Sequence, residues 1–574
     1  MPLRNPEVSA RLNHLADLLE IEGANPFRVR AYRNAARVVG GLGHELEEML
    51  EKGEDLDELP GIGKDLAEKL RVLVTTGELP LLKEVSKRVP PGLGELMEVP
   101  GLGPKRVQTL YRELHVRDLE DLKRAADAGR IRELAGFGEK TEEKLRQAVG
   151  EVQARTKRWL LADAEEFAEP LVGWLRSLGD VHKATIAGSY RRRRETVGDV
   201  DIIATCAKDK GESVIDRFVQ YEEVHEVVSQ GTTRATVILR CGLQVDLRVV
   251  AGVSYGAALH YFTGSREHNI ALRSRAQNSG EKVNEYGIYR GDKRLAGKTE
   301  EEVYAHFGLA FIPPELREDR GELEAAEKDR LPELVTLEDI RGDLHCHTDY
   351  TDGHDSLEAM AREARKRGYE YLGITDHSKR VRVAGGLDAR ALGKELDAID
   401  QLNDGSEGLR LLKGCEVDIL RDGRLDLSDR TLARLDFTVC AIHYDRGLSR
   451  KQQTERVLRA MDNPHCNIIA HPSDRLIGER EPLALDMEAA IEAARERHCI
   501  LEVNAQPRRM DLNDRYCRMA VDAGALLAIS TDAHSTATLD YMRYGVGQAR
   551  RGWVSARQVI NTRSLKQLLK AFAR

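Results

Sequence analysis

The chain has 574 residues, 41% hydrophobic and 32% charged, with 88 Lys+Arg against 96 Asp+Glu and a formal net charge of −8. That length implies several domains of ~100–200 residues each, and the balance excludes a wholly disordered or membrane-embedded chain. No apolar run approaches the ~20 residues of a bilayer span. The start, MPLRNPEVSARLNHL, lacks the apolar centre of a signal peptide, so a cytoplasmic protein with no membrane partner is expected. The eight cysteines show no zinc-ribbon or redox spacing and read as reduced structural thiols. The mild acidity argues at first sight against nucleic acid, whose binding domains are commonly basic.

Residues 1–150 read as short amphipathic helices joined by Gly-containing turns, as in NHLADLLEIEG and KDLAEKLRVLV. Within them LPGIGKDLAEKL (Leu59 to Leu70), VPGLGPKRVQTL (Val99 to Leu110) and LAGFGEKTEEKL (Leu134 to Leu145) repeat one pattern: apolar residue, Pro or Ala, Gly, apolar residue, Gly, helix. One such turn is an ordinary helical connection. Three copies predict helix-hairpin-helix units, in which backbone N–H groups near Gly61, Gly63, Gly101 and Gly103 hold DNA phosphates without reading bases. The third copy departs, with Ala135 in place of Pro and Glu139 placing an acid near the phosphate position.

Residues 180–312 mix alternating runs (RATVILR, LQVDLRVV) with helices, which predicts an antiparallel or mixed sheet. In the stretch Gly188-Ser189-Tyr190-Arg191-Arg192-Arg193-Arg194-Glu195-Thr196-Val197-Gly198-Asp199-Val200-Asp201, the two acids precede an apolar run. On a strand, Asp199 and Asp201 then project from one face. Paired carboxylates repel each other and are best stabilised by divalent cations; Mg²⁺ favours oxygen ligands and retains water and phosphate positions. A third strand acid, Asp246, completes a set for two Mg²⁺ ions and in-line phosphoryl transfer. Gly188 and Ser189 supply a close backbone approach and a hydroxyl for triphosphate oxygens, and a nearby arginine neutralises transition-state charge. A DxD pair alone is more often a solvated strand end, and four arginines an exposed basic run; the combination is what points to chemistry.

That spacing, with Tyr261-Phe262-Thr263-Gly264-Ser265, Asn269 and Arg273 downstream, resembles the nucleotidyltransferase core of family X DNA polymerases. The resemblance implies that Asp199, Asp201 and Asp246 hold two Mg²⁺ ions and that Asp246 also activates the primer 3′-hydroxyl. It implies Ser189 and Arg192 on the triphosphate, Tyr261 and Phe262 along the sugar beside Gly264, Asn269 at the base edge and Arg273 against the template strand. One departure is Arg193, where the family usually has Gly. The N-terminal region resembles the family's small lyase domain, with Tyr32 and Lys69 at matching positions, so Lys69 would form a Schiff base with an abasic sugar. Such a lysine needs a lowered pKa, whereas Asp65 and Glu68 hold the amine charged and Arg28 stands where the family often has Lys. An ordinary solvated helix lysine stands beside that reading.

From about residue 341, short apolar runs ending in polar residues (YLGITDH, FTVCAIHY, CNIIAHP, LLAISTDAH) alternate with helical segments, the pattern of an α/β barrel with functional side chains at strand C-termini. Of 17 histidines, nine follow residue 340. His345, His347 and Asp352 (DLHCHTDYTDG), His377 (GITDHS), Glu416 (KGCEVD), His443 (AIHYD), His471 (IIAHP), and Asp532 with His534 (STDAH) are nine candidate ligands. Mixed imidazole and carboxylate donors suit Zn²⁺, Mn²⁺ or Fe²⁺ better than Mg²⁺. Nine are too many for one ion, so two or three are expected, able to generate hydroxide and clamp a phosphodiester. His354, His465 and His498 read as non-ligands. The ligand order resembles the PHP (polymerase and histidinol phosphatase) domain. That resemblance implies a distorted (β/α)₇ barrel with a trinuclear centre, Mn²⁺-dependent 3′–5′ exonuclease activity and often abasic-site endonuclease activity.

The expected architecture is multidomain: an all-α lyase-like domain with helix-hairpin-helix over 1–85, a fingers-like region over 86–155, an α+β palm over 156–252, a thumb-like nucleotide-binding subdomain over 253–312, a charged linker over 313–340 and an α/β PHP barrel over 341–574. The expected function is short-gap filling in DNA repair by a nucleoid-associated monomer, with gapped or nicked double-stranded DNA and dNTPs as partners. Two readings compete: a nucleotidyltransferase on another acceptor fused to a phosphatase, and a non-catalytic DNA scaffold. The hairpin repeats argue against the first and the intact acid sets against the second. With a net charge of −8, DNA contact rests on backbone N–H turns, bound cations and local clusters such as Arg191 to Arg194, with a shallow salt slope.

Overall fold

The computed structural model describes all of the chain except residues 1–4, 43–45, 52, 60, 91, 98, 100–101, 135, 140, 144, 147–157, 406–407 and 574. It divides into two units, residues 1–158 and 159–574.

The first unit is helical. Helices Asn5–Glu22, Pro26–Gly41, Lys64–Thr76 and Pro104–Leu114 bury Leu12, Leu15, Tyr32, Leu70, Leu73, Val107 and Leu110 in one core. Asn25 caps the second of them by accepting from the Phe27 N–H, and Pro26 fits its first turn, where no N–H partner is needed. The described residues of the three sequence repeats share one hydrogen bond: Ile62 N–H bonds Leu59 C=O (3.0 Å), Leu102 bonds Val99 (2.9 Å) and Phe137 bonds Leu134 (3.0 Å). Each of these anchors is buried. Gly61 and Gly136 sit at φ +76° and +86°, a left-handed conformation that favours glycine. Around Gly61, Gly63 and Gly103 an added Cβ would meet nothing, so these turns face open space; Gly101 lies outside the described residues.

The second unit opens with a five-stranded mixed sheet in the order Val181–Ile186, Asp199–Cys206, Gln244–Val249, Arg234–Leu239, Val224–Gln230. Its second and third strands run parallel, with Asp201 opposite Asp246, and the other pairings are antiparallel. Helices Tyr255–Thr263, Arg266–Asn278 and Glu300–His306 follow, together with a small antiparallel sheet of Lys282–Asn284, Gly287–Arg290 and Lys293–Ala296.

The segment 313–340, expected as a charged linker, is instead folded into this body. It forms the turn Pro314–Leu316 and the helix Glu322–Glu327, and it buries Leu316, Leu323 and Ala326 in the same core as Ile288 and Tyr304. Two of its charges are internal. Arg317 and Glu322 are buried, paired with Glu300 at 2.6 Å and His268 at 2.6 Å.

Beyond it, parallel strands succeed one another from Gly342–Cys346 to Leu526–Ser530. Arg410–Lys413 and Glu416–Asp418 are two pieces of one path, because Gly414 and Glu416 continue bonding to Ile374 and Thr375. Seven strand positions result, and a bridge between Cys346 and Ala533 joins the last to the first. The C-terminal helix Leu565–Phe572 joins a second core with Leu344, Val439 and Ile468, where Phe572 stacks on Phe437 at 5.0 Å.

Candidate active sites

The first site lies on the two neighbouring parallel strands inside the mixed sheet. Strand alternation puts Asp199 and Asp201 on one face, and the parallel register sets Asp246 beside Asp201. Burial pushes the Asp201 carboxyl up to about 7, with like charge from Asp199 and Asp246 adding to it and Arg248 and Arg192 opposing it. A buried acid flanked by two further carboxylates fits a divalent cation, which would offset the charge. Asp246 is held by Thr236 Oγ1 (2.5 Å) and Gln244 Nε2 (2.8 Å).

Gly188, at φ +62°, backs directly onto Asp201: an added Cβ would lie 2.8 Å from Oδ2. Ser189 follows in the short turn Gly188–Arg191. Tyr261 and Phe262 pack edge to face at 5.2 Å, and the Arg248 guanidinium lies 4.3 Å over the Phe262 ring. Asn269 donates to the Tyr261 carbonyl (2.7 Å), which leaves its buried Oδ1 with no partner among the described residues. Arg273, one turn on, donates to the Asn269 carbonyl (3.2 Å). Gly264 sits where a Cβ would come 3.1 Å from Arg192 NH1.

The arginine run does not form the open basic cluster expected of it. Arg191 pairs with Glu300 (2.6 Å), Arg192 with Glu318 (3.1 Å), Arg193 with Glu165 (3.7 Å) and Arg194 with Glu318 (3.5 Å). Arg192 also donates to the Thr263 carbonyl. Arg193 adopts φ +56°, the left-handed conformation natural to the glycine usual at this position.

The second site brings together all nine residues expected as ligands, at or near the strand ends of the parallel sheet with Asp352 on the loop after the first strand. Glu416 is the hub, with oxygens 2.9 Å from His377, 3.1 Å from His471, 3.3 Å from His443, 3.5 Å from His345 and 3.6 Å from His347. Asp532 lies 3.3 Å from His347, and Asp352 lies 3.5 Å from both His377 and His534. Three donor groups of metal-binding size emerge: His347, Asp352, His377 and His534; His345, His347 and Asp532; His377, Glu416 and His443. His471 joins through Glu416, and His354, His465 and His498 stand outside every group. His345 Nε2, both ring nitrogens of His347 and Asp352 Oδ1 are buried without a hydrogen-bond partner among the described residues. Such orphaned donors, converging with carboxylates, fit two or three cations.

The carboxylates act on two of the imidazoles against the effect of burial. Burial pulls His377 and His443 down, but Glu416, with Asp352 and Asp418, pushes them up to about 10 and about 9. His347 is held down to about 4 by burial and by His377 and His534.

Residues missed in the sequence support these ligands. Glu502 accepts from His345 Nδ1 (2.7 Å) and from the His471 N–H (2.7 Å), and Asp418 accepts from His443 Nδ1 (3.2 Å) and its N–H (3.0 Å). Acids inside apolar runs, as in ILEVN and CEVDIL, were the available signal. In the first unit, Lys69 bonds Asp65 and lies 5.9 Å from the centre of the Tyr32 ring. Burial lowers its pKa, but Asp65 and Tyr32 outweigh that and hold it above the ordinary lysine value.

Family models match along the chain: a helix-hairpin-helix domain over 3–79, a SAM-like helix-hairpin-helix tandem over 93–151, DNA polymerase beta palm over 162–249, DNA polymerase beta thumb over 258–318 and a PHP domain over 343–506. A DNA polymerase/3′-5′ exonuclease PolX of Bacillus subtilis is 39% identical over 570 residues, 99% of each chain. Probable phosphatases of Caldanaerobacter subterraneus (29% over 206 residues, 33% of this chain and 75% of theirs) and Acetivibrio thermocellus (32% over 168 residues, 28% and 64%) are similar to part of the chain. This chain belongs to the family X DNA polymerases that carry a C-terminal PHP domain.

Proposed function

We propose that this protein fills short gaps in duplex DNA during repair, by two-Mg²⁺ nucleotidyl transfer at Asp199, Asp201 and Asp246, and trims 3′ ends at its histidine-rich centre. The observation that carries this is the pairing of two chemically distinct donor sets in one unit, three neighbouring carboxylates on two parallel strands of the mixed sheet and nine clustered imidazole and carboxylate groups around the parallel sheet. In the first site Asp246 takes the primer hydroxyl proton, Gly188, Ser189 and Arg192 receive the triphosphate, and Tyr261 and Phe262 line the sugar. Asn269 offers its unpartnered Oδ1 to the base edge, and Arg273 meets the template. When bound, the Mg²⁺ ions supply charge neutralisation for the attacking and leaving oxygens.

In the second site two or three Mn²⁺ or Zn²⁺ ions supply Lewis-acid chemistry when bound. Glu502 and Asp418 fix the ring orientations of His345 and His443, as outer partners of ligating histidines do. Abasic-site incision is assigned to this same centre, and a 5′-deoxyribose-phosphate lyase to Lys69. The hairpin turns at Gly61, Gly63, Gly101 and Gly103 hold the DNA backbone.

Metal content and activity on a one-nucleotide gapped duplex, with Mg²⁺ and Mn²⁺ compared, test the reading. Asp199→Ala with Asp201→Ala abolishes gap filling and leaves the Mn²⁺-dependent nuclease, and His345→Ala does the reverse. Loss of both activities in a folded first variant overturns the two-site assignment. The probable-phosphatase relatives support a second reading for the barrel, hydrolysis of a phosphate monoester, which turnover of p-nitrophenyl phosphate at the same centre would reveal.

A further inference from the structure

The loop Arg192–Glu195, which follows the glycine turn of the polymerase site, is held by side chains of the PHP domain. Arg551, buried at the end of helix Met542–Arg551, donates NH1 to the Arg192 carbonyl (2.7 Å) and to Glu318 (2.9 Å), and NH2 to Asp514 (2.7 Å). One turn earlier, Gly547 faces Arg193: an added Cβ would come 3.3 Å from the Arg193 Cβ. Gln548 donates to Glu195 (2.8 Å), which Arg475 also grips with both terminal nitrogens (3.0 and 2.6 Å). Positions 547, 548 and 551 thus share the helix face that meets the loop. Arg193 stands in a backbone conformation that disfavours a side chain, and it packs against this face.

Glu318 is the shared element. It accepts from Arg192 Nε (3.1 Å) and from Arg551 at once, with Arg194 at 3.5 Å. A triphosphate that takes hydrogen bonds from Arg192 competes with this carboxylate for the guanidinium. A buried carboxylate left with fewer cations holds the remaining one harder, because removing a partner exposes its full desolvation cost. With Arg551 in place, Glu318 stays paired when Arg192 turns to the nucleotide, and the Arg192 backbone stays anchored through its carbonyl.

We propose that Arg551 of the PHP domain is a positioning residue for the polymerase reaction: by bonding Glu318 and the Arg192 carbonyl together, it frees and aims the Arg192 guanidinium for the incoming triphosphate. A barrel side chain that touches no nucleotide thereby sets dNTP affinity. This rests on the reading of Arg192 as a triphosphate ligand.

The test uses the full chain on a one-nucleotide gapped duplex with Mg²⁺, measuring KM for dNTP and kcat, with Mn²⁺-dependent exonuclease activity and melting temperature as checks on the fold. Arg551→Met raises KM about tenfold with kcat within about twofold, as expected for loss of one charge-assisted anchor. Arg551→Lys, which keeps a cation beside Glu318 and Asp514, gives an intermediate KM and carries the test if the Met variant does not fold. Glu318→Gln added to either variant returns KM toward the parent value, because the competing carboxylate is gone; a merely structural defect would not be relieved by a second buried substitution. An unchanged KM in a folded Arg551 variant, or no relief by Glu318→Gln, overturns the proposal. Arg192→Ala separates the two levels. If it leaves KM unchanged, the triphosphate role of Arg192 fails; if it raises KM while the Arg551 variants do not, only the positioning role fails.

Discussion

Asp201 and Asp246 sit opposite each other across the parallel pairing of the palm sheet, 45 positions apart in the chain and adjacent in space. Their mutual repulsion, with Asp199, is the cost that cations offset. Asp201→Asn therefore raises the melting temperature in the presence of a chelator while lowering nucleotide incorporation by at least about a thousandfold. Thermal scans with and without Mg²⁺ on both proteins check this.

Gly188→Ala tests the closeness of the turn to that carboxylate. The new Cβ meets Asp201 Oδ2 at 2.8 Å, and the φ of +62° adds backbone strain of about 1–2 kcal/mol. Gap filling falls by at least about tenfold while exonuclease activity is retained, as assays of each activity on the purified variant would show.

Glu318 gives a pH signature. Burial raises its pKa, but Arg551, Arg192, Arg194 and Arg320 bring it down to about 2 against an ordinary 4.5. A depressed carboxyl contributes stability above its unfolded pKa and loses it as pH falls through the folded value, on the order of 3 kcal/mol here. The parent therefore melts above Glu318→Gln at pH 7, and the difference closes between about pH 4.5 and pH 2. Equal differences at pH 7 and pH 3 would remove the ion-pair account.

Glu502→Gln weakens the hold on His345. Loss of such an outer partner lowers metal affinity or nuclease activity about 10–100-fold, and gap filling at the separate palm site stays unchanged. Metal titration followed by exonuclease assay distinguishes an affinity loss, restored by excess Mn²⁺, from a loss of turnover.

Lys69 is protonated and paired with Asp65. Asp65→Ala brings its pKa down and increases borohydride trapping on an abasic substrate near pH 7. No adduct, or one that survives Lys69→Ala, removes Lys69 from lyase chemistry.

Local patterns carried much of the protein in readable form. The Gly-x-Gly turns at Gly61 and Gly136 require left-handed backbone, a demand written in single residues. The PHP candidate ligands were legible because most stand at or just past the end of an apolar strand, with His345 and His347 sharing one strand and Asp532 and His534 another, and parallel strands of a barrel bring their C-terminal ends together. The charged run 313–340 read as linker because composition does not show partners. Arg317 and Glu322 are buried there only because Glu300 and His268, from elsewhere in the chain, receive them. Glu502 and Asp418 were passed over for the same reason: an acid on a strand declares itself a support only when the imidazole it holds is in place.

The four arginines mark where the two levels part. Sequence alone determined the identity of the donor sets, the strand alternation that pairs Asp199 with Asp201 and the turn chemistry, because these depend on residue type and on periods of a few residues. Tertiary structure alone decided that Arg191 to Arg194 pair with glutamates of the same body, that Arg193 occupies a glycine's conformation against Gly547, and that Arg551 reaches the Arg192 carbonyl from 359 positions away. A charge's role depends on what neutralises it, and at such separations only the folded chain supplies the neighbour.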